Sequence, residues 1–291
     1  MSKTVETFRK ELAKHCREFQ EAISTQDGNW VVKGFIDNYQ NIYTISKDTK
    51  VISKIIELML FPTLSEFCRK YTYKMFLCKH QNHYPDICFI AEDGTKIALD
   101  LKSTYRMNAS AVNGFTLGAF TGYFRQRSSK KNSLFPYAEF SAHFVLGILY
   151  TRTKQMIDEK KVYKLQELQS IVSVVKNVAF FLQEKWKIAS DKPGSGNTKN
   201  IGSAKNIDTL VSGQGTFAKY GEEVFDDYWM NYLTLDMARK IESDMPYHNL
   251  GEYLKWKKKR MYKHKNIVPG HRRIRRIPGA RRNRIPPSFS D

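Results

Sequence analysis

The chain has 291 residues, 41% of them hydrophobic and 13% aromatic, ample for one large or two modest packed domains. Lys and Arg number 48 against 29 Asp and Glu, and the resulting +19 points to a polyanionic partner, either nucleic acid or an anionic surface. No apolar run approaches the ~18 residues of a membrane span; MSKTVETFRKELAKHC has no apolar signal core, and Cys16, Cys68, Cys78 and Cys88 show no C-x-x-C pairing. A cytoplasmic protein with reduced thiols, no zinc site and no membrane partner is therefore expected.

In chain order, residues 4–24 carry Val5, Phe8, Leu12, Cys16 and Phe19 at helical spacing, predicting an amphipathic helix. Asp48 and Thr49 can cap a second helix running through Val51, Ile52, Ile55, Ile56 and Met59 towards Pro62. ICFI at 87–90 and KIALDLK at 96–102 flank Asp93–Gly94, and Asp-Gly between apolar runs predicts a hairpin. Further strands are expected at His143–Tyr150 and Val174–Leu182, then a long Gly/Ser/Asn-rich loop between Ile188 and Gly215. An aromatic helical segment follows around Phe225, Tyr228, Trp229 and Tyr232. From Tyr253 onward 14 Lys and Arg face one acid, Asp291, so two-thirds of the excess charge lies in the last seventh of the chain. Its segment GHRRIRRIPGARRNRIPPSFSD, with no apolar periodicity, reads as a disordered basic arm that neutralises phosphates.

The hairpin holds the chemistry. Asp86 opens the first strand; Asp100 and Lys102 lie two apart on the second and so share one face, with Ile97, Leu99 and Leu101 on the other. Pairing across the turn brings Asp86 towards Asp100. Two converging carboxylates suit a hard divalent cation such as Mg²⁺, with Lys102 placed to hold or help deprotonate a water aimed at phosphorus. As a bare pattern, an exposed strand of alternating charge explains these residues better.

The surroundings go further. SKDTKVISKIIEL, QNHYPD, IALDLKSTY, FTLGAFT, YTR, FLQEKW and GSGNTKNIGS occur in this order between residues 46 and 203. The run resembles the EcoRV-type type II restriction endonucleases of the PD-(D/E)xK superfamily, over roughly residues 46–256. The resemblance implies an α/β fold, a mixed β-sheet flanked by helices. It also implies a U-shaped homodimer that clasps double-stranded DNA in a cleft and cuts both strands with Mg²⁺, without a small-molecule substrate. On this reading 1–45 is a helical dimerisation segment, 46–256 the catalytic and recognition domain, and 257–291 the basic tail.

Residue by residue, the resemblance makes Asp86 and Asp100 the metal carboxylates, Lys102 the catalytic lysine and Glu57 the helix-borne acid linked to metal binding. For Glu57 an ordinary i,i+3 ion pair with Lys54 is the alternative. Gly194, Gly196, Asn197 and Thr198 match the major-groove recognition loop, where glycines admit the backbone to base edges and an Asn amide can pair with adenine. Gln81 and Asn82 match the minor-groove loop. Ser103, Thr104, Thr116 and Arg152 match backbone contacts, and Thr49 and Lys50 the place where DNA contact is coupled to the site. The implied target is the palindrome GATATC, cut bluntly at its centre to leave 5′-phosphate ends; its central TA step is easily kinked. On charge alone, a non-enzymatic basic nucleic-acid-binding protein is the alternative; on the fold alone, a repair or structure-selective nuclease.

Overall fold

A computed structural model describes residues 2–78, 80, 83–194 and 198–265. Helix α1 (Lys3–Lys14) starts where the Ser2 hydroxyl accepts the Val5 N–H, and buries Val5, Phe8 and Leu12. The expected single helix over 4–24 breaks at His15, whose N–H is shared between the Glu11 and Leu12 carbonyls. Helix α2 (Cys16–Ile23) resumes beyond it and buries Phe19 and Ile23. The break re-aims the apolar stripe, so that the buried His15 ring packs on Phe19, Phe67 and Tyr71. That stripe lies inside the chain's own core.

Strands β1 (Gly34–Ile36) and β2 (Asn41–Thr44) precede helix α3 (Thr49–Tyr71), which Asp48 caps by accepting the Lys50 and Val51 N–H groups. The helix runs through Pro62 instead of ending towards it. An interior proline costs about 3 kcal/mol, but Leu64 and Phe67 beyond it are fully buried, worth about 1.5–3 kcal/mol each. Burial outweighs the lost hydrogen bond.

The central sheet has the order β3 (Lys74–Leu77), β4 (Ile87–Ile90), β5 (Lys96–Tyr105), β7 (Phe140–Arg152), β9 (Val175–Glu184). The β4–β5 pair is the predicted hairpin, antiparallel with Ile87 opposite Leu99; β5–β7 is parallel and β7–β9 antiparallel. Both faces of this mixed sheet are covered. On one, Ile97, Leu99, Phe144 and Leu146 pack against Phe8, Ile56 and Phe67 of the N-terminal helices. On the other, Ala98, Val145 and Phe181 pack under Phe120, Tyr228 and Trp229. Gly147 leaves the space that the Phe181 ring fills; a Cβ there would stand 2.0 Å from Phe181 Cζ.

The second face is roofed by a smaller sheet of order β10 (Ala189–Pro193), β11 (Asn200–Ser203), β6 (Thr116–Ala119). The expected long loop is thus largely an antiparallel hairpin. Its short, irregular strands gain their partner from β6, more than 70 residues away in sequence. The short helix α4 (Lys185–Ile188) leads from β9 into β10, and after the hairpin come helices α5 (Ile207–Ser212), α6 (Glu222–Asn231), α7 (Leu235–Lys240) and α8 (Leu250–Lys265). A third sheet joins β1 and β2 to β8 (Val162–Lys164). The basic tail expected to be disordered over 257–291 begins inside helix α8, which Tyr253, buried against Tyr228 and Tyr247, anchors to the core; beyond residue 265 it lies outside the described residues. No helix among the described residues is long and apolar enough to cross a membrane.

Candidate active site

One step past the Ile87–Leu99 pair, the hairpin register sets Asp86 beside Asp100. The Asp86 N–H donates to Asp100 Oδ1 at 3.3 Å. Asp86 Oδ2 accepts the Leu101 N–H at 2.8 Å and Lys102 Nζ at 3.1 Å. Lys102 Nζ stands 4.0 Å from Asp100 Oδ2. The two carboxylates and the ammonium form one cluster, as the strand period predicts.

Asp100 is only 4% exposed. Burial raises its carboxyl above the usual range; Lys102 pulls it back down and the Asp86 charge adds to the rise. Burial opposes the Lys102 charge, yet Asp100 and Asp86 outweigh it and hold the ammonium above the ordinary lysine value. Behind the carboxylates, the buried Tyr84 hydroxyl lies 2.7 Å from His143 Nδ1. Burial holds His143 neutral and the Tyr84 phenol protonated, so this is a hydrogen bond between two uncharged groups, its direction set by the imidazole tautomer.

Glu57 pairs with Lys54 at 2.7 Å, the i,i+3 contact expected on α3. It also lines a depression of about 330 Å³ with Thr49, Lys50, Ser103 and Thr104, and its charge raises Lys102. Five residues singled out separately in the sequence therefore share one place, at the seam of α3 and β5. The seam is fastened by Ser53 and Ser103, whose hydroxyls are 2.6 Å apart, with Ser53 also donating to the Thr49 carbonyl.

Thr116 and Gly194 meet in a second hollow of about 520 Å³ between β6 and the β10–β11 hairpin. Gly194 has to be glycine here, since a Cβ would lie 2.6 Å from Thr116 Cγ2. Thr198 lies two residues before β11. Arg152 lies over the Tyr105 ring at 3.5 Å, in a third hollow of about 810 Å³ with Lys47, Arg106 and Lys154. Those three cations went unremarked in the sequence, where isolated basic residues carry no signal. Gln81, Asn82, Gly196 and Asn197 lie outside the described residues.

The comparisons with known proteins agree on the class. A family model described as "Restriction endonuclease EcoRV" matches residues 26–258. The type II restriction enzyme EcoRV of Escherichia coli is 37% identical over 238 residues, spanning 81% of this chain and 94% of that enzyme. The chain belongs to the EcoRV restriction endonuclease family. It is accordingly a type II restriction endonuclease, a hydrolase of DNA phosphodiesters. Among solved structures the NlaIV restriction endonuclease is a looser likeness, with 14% identity and a TM-score of 0.39 over 88% of this chain and 89% of that one.

A residue that sequence reasoning passed over is Lys185, at the start of α4. It is 1% exposed, and its Nζ has no hydrogen-bond partner among the described residues. Burial pushes it down to about 8, against the pull of the Asp100 charge.

Proposed function

We propose that this EcoRV-family chain is a Mg²⁺-dependent homodimeric endonuclease that cuts both strands of GATATC at the centre, leaving blunt 5′-phosphate ends. The observation that carries the reading is the cluster of Asp86, Asp100 and Lys102, joined by contacts of 3.1 and 4.0 Å. Clustered acids facing a phosphate are useless to a pure DNA binder, because they repel it.

No group of three or more His, Cys, Asp or Glu is gathered among the described residues. Two hard carboxylates with open coordination fit a cation that keeps several waters, as Mg²⁺ does. Asp86 and Asp100 would hold it, with Glu57 at the edge; when bound, it acidifies water and offsets charge developing on the phosphate. Lys102, kept cationic by its two acids, donates N–H bonds to the attacking water or to a phosphate oxygen. Thr49, Lys50, Ser103, Thr104, Thr116 and Arg152 bind the sugar–phosphate backbone and align phosphorus with that water. The loop from Gly194 to Thr198 reads the major groove, and Gln81 and Asn82 approach the minor groove.

A palindrome calls for a twofold dimer. Phe35, Tyr43 and Val162 support one: they are cross-strand neighbours on the β1–β2–β8 sheet and stay 52%, 46% and 45% exposed. An apolar row of this kind is suited to self-association. In the cell the enzyme acts in the cytoplasm as part of a restriction system.

Chelation tests the reading. With Mg²⁺ a GATATC duplex is cut; with EDTA cutting stops while the duplex is still retarded on a gel. Retardation without any cutting in Mg²⁺ would turn the assignment to a binding protein.

A further inference from the structure

Lys185 Nζ sits in a box of aromatic rings, 4.7 Å from the Tyr84 centroid, 5.6 Å from Tyr137 and 5.7 Å from Phe124. Gly118 on β6 completes the box, since a Cβ built there would lie 3.6 Å from Nζ. A bare ammonium in a nearly dry cavity is expensive, even with favourable ring faces around it. The surface offered it an easy alternative, so its position needs a reason.

The parts that meet at this ammonium supply one. Tyr84 lies two residues before Asp86 and is tied to β7 through His143. Asp100 and Lys185 feel one another's charge through space. Lys185 itself begins the four-residue turn of helix that runs straight into β10, and Gly118 belongs to β6; both strands are in the small sheet whose β10 is followed by Gly194 and whose β11 is preceded by Thr198. The ammonium therefore touches the reading sheet on one side and the carboxylate-bearing segment on the other.

We propose that Lys185 is a positioning residue that couples base reading to catalysis: a shift of the β6–β10–β11 sheet on the correct site moves its buried ammonium against Tyr84 and Asp100, and so sets the Asp86–Asp100 pair. The inference rests on those two acids being the metal carboxylates. It assigns Lys185 no contact with DNA or with the reacting phosphate. Packed groups with few arrangements transmit small displacements in this way.

The test compares wild type, Lys185→Met, Lys185→Gln and Asp100→Ala. Single-turnover cleavage is measured on a GATATC duplex and on one with a single changed base pair, duplex affinity is measured in EDTA, and Mn²⁺ binding is followed by electron paramagnetic resonance. Lys185→Met is expected to lose about 100-fold in cognate cleavage rate. It should keep EDTA duplex affinity and melting temperature near wild type, weaken Mn²⁺ binding, and shrink the cognate-to-changed-site cleavage ratio by about 10-fold. Lys185→Gln, neutral but polar, should show the same loss of ratio and decides the matter if the Met variant does not fold. Equal slowing on both duplexes with the ratio kept would show a merely structural lysine and overturn the proposal, as would wild-type behaviour. Asp100→Ala that still cuts would instead overturn the assignment of the carboxylates.

Discussion

Lys102 Nζ donates to Asp86 Oδ2 at 3.1 Å, and this bond joins the two sides of the hairpin one step past the Ile87–Leu99 pair. It keeps the ammonium cationic, through the carboxylates on either side. The chain thus holds Lys102 as a hydrogen-bond donor and a fixed charge, and much less as a neutral base. Lys102→Met is expected to lose about 10²–10³-fold in cleavage rate, the usual cost of deleting one charge-stabilising donor. Duplex binding measured by anisotropy should stay within a few-fold, as expected of a residue proposed to stabilise charge that develops only during reaction.

Glu57 stands at the rim of the site, exposed enough that its bond to Lys54 contributes only about 0.3–0.5 kcal/mol. Glu57→Gln should therefore leave the melting temperature within about 2 °C of wild type. Its effect belongs in metal dependence: slower cleavage at low Mg²⁺, recovered as Mg²⁺ is raised. A rate unchanged at every Mg²⁺ concentration would reduce Glu57 to a solvated ion pair.

His143 is buried between the Tyr137 ring, stacked at 4.1 Å, and the Tyr84 hydroxyl. Burial, then Lys185 and Arg127, hold its pKa well below the ordinary 6.5. The unfolded chain therefore takes up a proton at a pH where the folded chain does not. Stability from this group is complete above about 6.5 and falls as pH drops below it, by up to about 1.4 kcal/mol per pH unit. Urea unfolding between pH 5 and 8 should show this acid limb in the wild type and a flatter one in His143→Gln.

Residues 266–291 hold seven arginines and one acid, and lie past the end of the family match at 258. If they engage phosphates, each adds about 0.9 to the slope of log affinity against log salt. Deleting them should weaken duplex affinity at low salt by about 10-fold or more and flatten that slope. The cleavage position should not move, since phosphate contacts carry no sequence information.

The hairpin that gathers Asp86, Asp100 and Lys102 was legible because three local signals agree there: an Asp-Gly turn, apolar residues at period two, and a carboxylate from each side in pairing register. The break at His15 and the passage of α3 through Pro62 were not, since both are decided by what packs against the helices and not by their own residues. The β10–β11 hairpin hid behind a Gly, Ser and Asn composition that reads as loop, and its third strand is distant in the chain. Lys185 was invisible for a simpler reason. A lysine between Glu184 and Trp186 looks like surface, and only the fold shows it enclosed by Tyr84, Phe124 and Tyr137.

The central claim, that Asp86 and Asp100 form the metal site of an enzyme specific for GATATC, is tested most directly by digesting a plasmid with one such site. The wild type in millimolar Mg²⁺ should give a single blunt linear product cut at the centre of the site, and Asp100→Ala should leave the plasmid intact. Cutting at another sequence would contradict the assigned target, and cutting by Asp100→Ala would contradict the assigned carboxylate.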